Sequence, residues 1–180
     1  MMVLTRYFLV LILGVIALTS CSDQSLQKYL VEKQDDNKFV KMDVAASLLQ
    51  GNDNNFSQEE KDILKTLKKV NVVAYPINDD NIADFEIEKN KLKTILDQEQ
   101  YKELTRIKSN DWNATLKYTG EEDAIDEVIV FASDDKRGFA VFRLLGENMR
   151  PDQMLKLMKS AERGDLDVSK FEAFGEIFKD

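Results

Sequence analysis

Histidine is absent from all 180 residues, cysteine occurs once, proline twice and glycine seven times. Without imidazole the chain has no access to the commonest general base, the usual activator of a serine or cysteine nucleophile, or the usual zinc ligand. Carboxylates are the chemistry left to it. A lone thiol, Cys21, closes no disulfide within the chain and builds neither a redox pair nor a cysteine–zinc site. The scarcity of proline and glycine argues against a loop-rich or low-complexity chain, and no internal repeat is visible. Basic residues are also short: 25 Lys and Arg stand against 33 Asp and Glu, a formal charge of −8. A surface this acidic does not attract nucleic acid or anionic lipid by long-range electrostatics, and it suits an exported, soluble body. No cofactor or metal motif is present. Gly51 to Asn55 lacks the alternate acids and closing glutamate of a calcium loop, and Asp79-Asp80-Asn81 reads as a solvated turn.

What is present begins with the leader. Met1 to Phe8 holds one base, Arg6, and no acid, and Tyr7 to Leu18 is apolar apart from Gly14. That run is shorter than the roughly 20 residues a membrane span needs, and its length suits the central region of a secretory signal. Leu18-Thr19-Ser20-Cys21 then resembles the bacterial lipobox: a branched apolar residue, two small residues and the cysteine. The small residues open the bond before Cys21 to a peptidase, and the thiolate takes a diacylglyceryl group. Residues 1–20 are therefore expected to be a lipoprotein signal peptide, with 21–24 a lipidated tether and Cys21 the lipid attachment site. Each buried CH₂ contributes about 0.8 kcal/mol, so two or three palmitate-like chains anchor stably where one does not. Losing Arg6 with the leader takes the charge to −9. Aspartate directly after the cysteine is the pattern for inner-membrane retention. Ser22 holds that position, which points to the outer membrane, with the body facing either the periplasm or the exterior.

The remainder, 25–180, reads as one α+β domain. Ser25 to Lys33 has the spacing of a short helix with Leu26, Tyr29 and Leu30 inward. Val40, Met42 and Val44 alternate with Lys41 and Asp43 as in a half-buried strand, and one or two helical turns are expected over Ala45–Gln50. Ser57-Gln-Glu-Glu60 is a capping box that opens a helix to Lys69, with Ile63, Leu64 and Leu67 inward. Val70 to Tyr75 is a β-branched strand ended by Pro76. Phe85 to Leu96 reads as a helix with Ile87, Leu92, Ile95 and Leu96 near one face, and Tyr101, Leu104 and Ile107 suggest a second helix after it. Ala114, Leu116 and Tyr118 then alternate with Thr115 and Lys117. Val128 to Ala132 is apolar on both faces, as a central strand covered on both sides would be. Phe139 to Leu145, interrupted by Arg143, returns as its partner. Pro151 suits the first turn of a helix burying Met154, Leu155 and Met158. Ser169-Lys-Phe-Glu172 is a second capping box. It opens a last helix whose Phe171, Phe174, Ile177 and Phe178 either close the core or face a partner.

The block Glu127 to Ser160, with its strand, charged hairpin, strand and amphipathic helix, resembles the domain-of-unknown-function 4252 family of small exported bacterial lipoproteins. Tyr101-Lys-Glu-Leu104 and the strand after Trp112 fit the preceding part of that family. The resemblance implies an α+β fold and lipid anchoring, and it transfers no catalytic residue. The expected architecture is a mainly antiparallel sheet of four or five strands with helices packed against it. Its last three strands should form a meander. The expected function is a non-catalytic membrane-anchored lipoprotein, its partners the membrane, through the lipid, and a protein or envelope component. Two alternatives have definite requirements. A carboxylate-based glycan hydrolase needs two acids about 5–10 Å apart in a cleft, one with a raised pKa. An apolar-ligand carrier needs a core cavity of about 300 Å³ or more.

Overall fold

The computed structural model describes residues 24–47, 56–108 and 112–162. The segment 1–20 expected to be a signal peptide, Cys21, the run Gly51–Asn55 and the terminal segment with Phe171 to Phe178 lie outside the described residues. Ten elements follow in order: α1 (Leu26–Glu32), β1 (Val40–Ala45), α2 (Gln58–Thr66), β2 (Leu67–Pro76), α3 (Ile82–Leu96), β3 (Lys102–Lys108), β4 (Trp112–Glu121), β5 (Ala124–Asp134), β6 (Gly138–Met149) and α4 (Pro151–Glu162). The strands make one antiparallel sheet in the order β1-β2-β6-β5-β4-β3. Six strands thus replace the expected four or five, and β4-β5-β6 is the expected meander.

Side-chain alternation divides the sheet into two faces. On one, Val73, Tyr75, Ile129, Phe131, Phe139 and Val141 meet Leu26, Tyr29 and Leu30 of α1 and Phe85, Leu92, Ile95 and Leu96 of α3. On the other, Tyr118, Ile125, Val128 and Met149 meet Ile63 and Leu64 of α2 and Met154 and Leu157 of α4. Val128 and Ile129, neighbours in β5, are 2% and 0% exposed. The central strand is therefore covered on both sides, as its unbroken apolar run requires.

Local chemistry sets the helix starts. Ser25 Oγ accepts the Lys28 N–H at 3.2 Å. At α2, Glu60 N–H donates to Ser57 Oγ at 3.2 Å while Ser57 N–H donates to Glu60 Oε2 at 2.8 Å, so two otherwise orphaned donors are satisfied. α1 is tied to α3 by Tyr29 Oη donating to Glu88 Oε2 at 2.9 Å and by Lys33 Nζ at 2.5 Å from Glu88 Oε1.

Five sequence expectations are corrected. The helix expected to run to Lys69 stops at Thr66, and Leu67 to Lys69 open β2, where pairing with β6 overrides the helical spacing. The segment with Tyr101, Leu104 and Ile107 is the edge strand β3, not a helix. A bulge between Glu103 and Thr105 inserts one residue, so Leu104 and Ile107 point to the same face although three apart. The bulge mimics a helical period. Ile87 is 63% exposed because the buried stripe of α3 runs through Phe85, Lys89, Leu92 and Leu96. Leu155 is 37% exposed, since α4 turns Met154 and Leu157 inward. Arg143 does not interrupt β6, which continues to Met149. Its guanidinium forks onto Glu127, Nε to Oε1 at 2.8 Å and Nη2 to Oε2 at 2.9 Å, and donates to Gln27 of α1.

Gly138 opens β6 at φ 129°, where a Cβ would stand 2.0 Å from the Tyr75 carbonyl oxygen, so only glycine fits. Beside it Tyr75 stacks on Phe139 at 5.6 Å and meets Phe39 edge-on at 4.9 Å. The Tyr75 hydroxyl is buried without a hydrogen-bond partner among the described residues, and burial raises its pKa. A buried unpaired hydroxyl costs about 1–3 kcal/mol. Tyr75→Phe is therefore expected to raise stability in urea unfolding by about 1–2 kcal/mol. A destabilised Tyr75→Phe protein would refute this reading of the hydroxyl.

Candidate functional site: a cationic groove beside β3

α3 lies over the middle of the sheet and ends at Leu96, so β3 and β4 extend past it on that face. The polar half of the β4 alternation, Asn113, Thr115 and Lys117, is left as the floor of an open groove of about 330 Å³. Phe131 and Ser133 of β5 complete the floor, Arg106 and Lys108 of β3 form one wall, and Lys93, Leu96 and Asp97 form the other. Four cations thus face one carboxylate in a chain whose net charge is −8.

The cations are not equivalent. Lys117 is 8% exposed and serves the fold: its Nζ donates to the Leu96 carbonyl at 2.6 Å and the Tyr101 carbonyl at 3.5 Å, and lies 3.6 Å from Asp97 Oδ1. It thereby satisfies the orphaned Leu96 carbonyl at the end of α3 and favours the negative end of the helix dipole. Arg106 shares its charge with Glu103 at 2.6 Å. Lys108 has no acidic partner among the described residues, and Lys93 acts on Asp135 only through space. The Asp135 carboxyl is held below its ordinary pKa first by its hydrogen bond with Lys89. Burial lowers the pKa of Lys89, but its contacts with Glu86 at 2.7 Å and Asp135 at 2.9 Å outweigh that and leave it raised. The rim beyond Lys93 is therefore neutralised, and among the described residues the unpaired positive charge belongs to Lys93, Lys108 and part of Arg106. With hydroxyl and amide groups beneath, the groove can receive an anionic group. Sequence reading found the polar alternation of β4. It missed the groove, because β3 read as a helix and gave no reason to place Arg106 and Lys108 beside Thr115.

A second groove, of about 360 Å³, lies on the same face between α1 and β1-β2-β6. Its polar groups satisfy one another. Lys41 Nζ donates to the carbonyls of Gln34 and Asp36, each at 2.9 Å, and Asp43 accepts from Lys69 at 2.7 Å and Asn71 at 2.5 Å. Both grooves are open and carry charged linings, so neither is the apolar cavity of a carrier. Among the described residues the carboxyls with displaced pKa values, Asp43, Asp62, Asp135 and Asp152, all move down, the wrong direction for a glycosidase acid. The two buried acids among the described residues are occupied: Glu127 by Arg143, and Asp134 by the N–H groups of Lys136 at 2.8 Å and Arg137 at 3.1 Å. Among the described residues no cluster of three potential metal ligands occurs, and no helix is long and apolar enough to cross a membrane.

The family model described as Domain of unknown function (DUF4252) matches residues 29–157, most of the chain. The chain belongs to the DUF4252 family. The match runs from α1 into α4, so the whole sheet and the cationic groove lie in the DUF4252 domain. No curated protein and no solved structure matches the chain.

Proposed function

We propose that this DUF4252 chain is a non-catalytic lipoprotein, held in the outer membrane by acyl chains on Cys21, that binds an envelope component through an anionic group seated in the cationic groove. The observation that carries the reading is the groove itself, where Lys93, Lys108 and Arg106 concentrate positive charge on an otherwise acidic body. Screening at physiological salt confines charge effects to about 8 Å. A local cationic site can thus act at contact range although the surface as a whole repels anions. The lipobox supplies the anchor.

Two measurements test it. Cys21→Ser is expected to move the chain out of the membrane fraction or leave it unprocessed; a variant that stays processed and membrane-bound overturns the anchor. Crosslinking in intact cells should give an adduct with the full-length lipoprotein. The Lys93→Glu/Lys108→Glu variant should reduce that adduct about tenfold or more, a loss of about 1.4 kcal/mol in affinity. An adduct of equal yield in the variant overturns the groove, and an adduct with a protein replaces the envelope component by a protein partner.

A further inference from the structure

Gln24, the first described residue, lies beside the cationic groove. Gln98 Nε2 donates to the Gln24 carbonyl at 3.2 Å, and the Leu26 N–H donates to Tyr101 Oη at 2.9 Å. Both partners belong to the turn that follows α3, directly after Leu96 and Asp97 of the groove wall. Lys117 on the groove floor holds the same turn through the Leu96 and Tyr101 carbonyls. Gln24 is thus held one glutamine side chain away from Gln98, the chain neighbour of Asp97. Cys21 precedes Gln24 by three residues, and three residues span at most about 11 Å.

We infer that the anionic group seated in the groove is the phosphate of an anionic membrane lipid, an inference that rests on the anchor and the groove proposed above. Acyl chains on Cys21 hold that residue at the bilayer surface, where headgroups fill a layer about 5–7 Å deep. The short link from Cys21 to Gln24 keeps the groove within reach of that layer. Long-range attraction does not bring a chain of charge −8 to an anionic surface, and the anchor takes its place. A short link sets an effective concentration on the order of millimolar, so a weak site is occupied once the chain is anchored. Lys93 stands on one wall, with Arg106 and Lys108 on the other. Cations on opposite sides suit a phosphate, whose oxygens point in several directions, better than a planar carboxylate, and a guanidinium forks onto phosphate oxygens. The Thr115 and Ser133 hydroxyls and the Asn113 amide are left for the polar groups of the headgroup.

The test reconstitutes the full lipidated chain on vesicles of phosphatidylcholine, with or without phosphatidylglycerol, and follows backbone hydrogen exchange by mass spectrometry. Phosphatidylglycerol is expected to slow exchange over β3 and the start of β4 several-fold, and Lys93→Glu/Lys108→Glu to abolish the slowing. Equal exchange across β2 and β6 in both proteins shows that the variant is folded. Identical exchange on the two vesicles overturns the lipid assignment, as does slowing that persists in the variant. Slowing on phosphatidylcholine vesicles by inorganic phosphate alone, equal to that by phosphatidylglycerol, makes the source a soluble phosphate and also overturns it. The adduct in intact cells separates this failure from that of the groove. If the adduct still depends on Lys93 and Lys108, the groove keeps an anionic ligand other than lipid; if it does not, both readings fall.

Discussion

Phe139→Ala is expected to lower the unfolding free energy by about 3–5 kcal/mol, the cost of truncating a fully buried aromatic. Phe139 is 0% exposed and stands where four other rings converge: Tyr75 at 5.6 Å, Phe85 at 5.9 Å, Phe131 at 6.0 Å and Phe39 at 6.3 Å. These come from β2, α3, β5 and the segment before β1. Removing the ring loosens contacts made by several elements at once, and Gly138 next to it leaves the backbone little freedom to collapse into the space. Domains of this kind are stable by only about 5–15 kcal/mol, so the loss is a large share of the total. Urea unfolding should show a lower midpoint with an unchanged slope. A change below about 1 kcal/mol would mean that the cluster repacks around the gap and that the ring is no hub.

Breaking the Glu127–Arg143 pair from one side should cost a similar amount. Both side chains are 11% exposed, and their fork-on-fork contact lies beneath α1. Arg143→Met leaves a desolvated carboxylate, and Glu127→Leu leaves a desolvated guanidinium. Either single change is expected to cost about 3–5 kcal/mol, whereas the double replacement should lie within about 1–2 kcal/mol of the parent. The asymmetry arises because attraction within a buried pair little more than offsets the cost of removing both ions from water. A double-mutant cycle measures it directly. Additive single effects would show that the two charges are solvated and independent.

Much of the fold is legible in particular residues. Ser57 and Glu60 announce α2, Val128 to Ala132 announces a strand covered on both faces, and Pro151 announces α4; each is a local preference that the packed protein has no reason to override. The errors fall where a local pattern depends on a distant one. Leu104 and Ile107 imitate a helix because a bulge against β4 offsets the strand period. Arg143 looks like a break in a strand because its partner, Glu127, lies sixteen residues away. The grooved face of β4 was visible as polar alternation, but a groove exists only once α3 stops short of β3.

By itself the sequence determined the missing imidazole chemistry, the acidic balance and the alternation that makes an α+β domain, since these depend on residue type and near-neighbour spacing. Tertiary structure alone decided the six-strand order, the pairing of Arg143 with Glu127, and the meeting of Lys93, Arg106 and Lys108 around one opening. Those are long-range contacts, and which distant faces come together is settled by burying both sides of the sheet, not by any local preference.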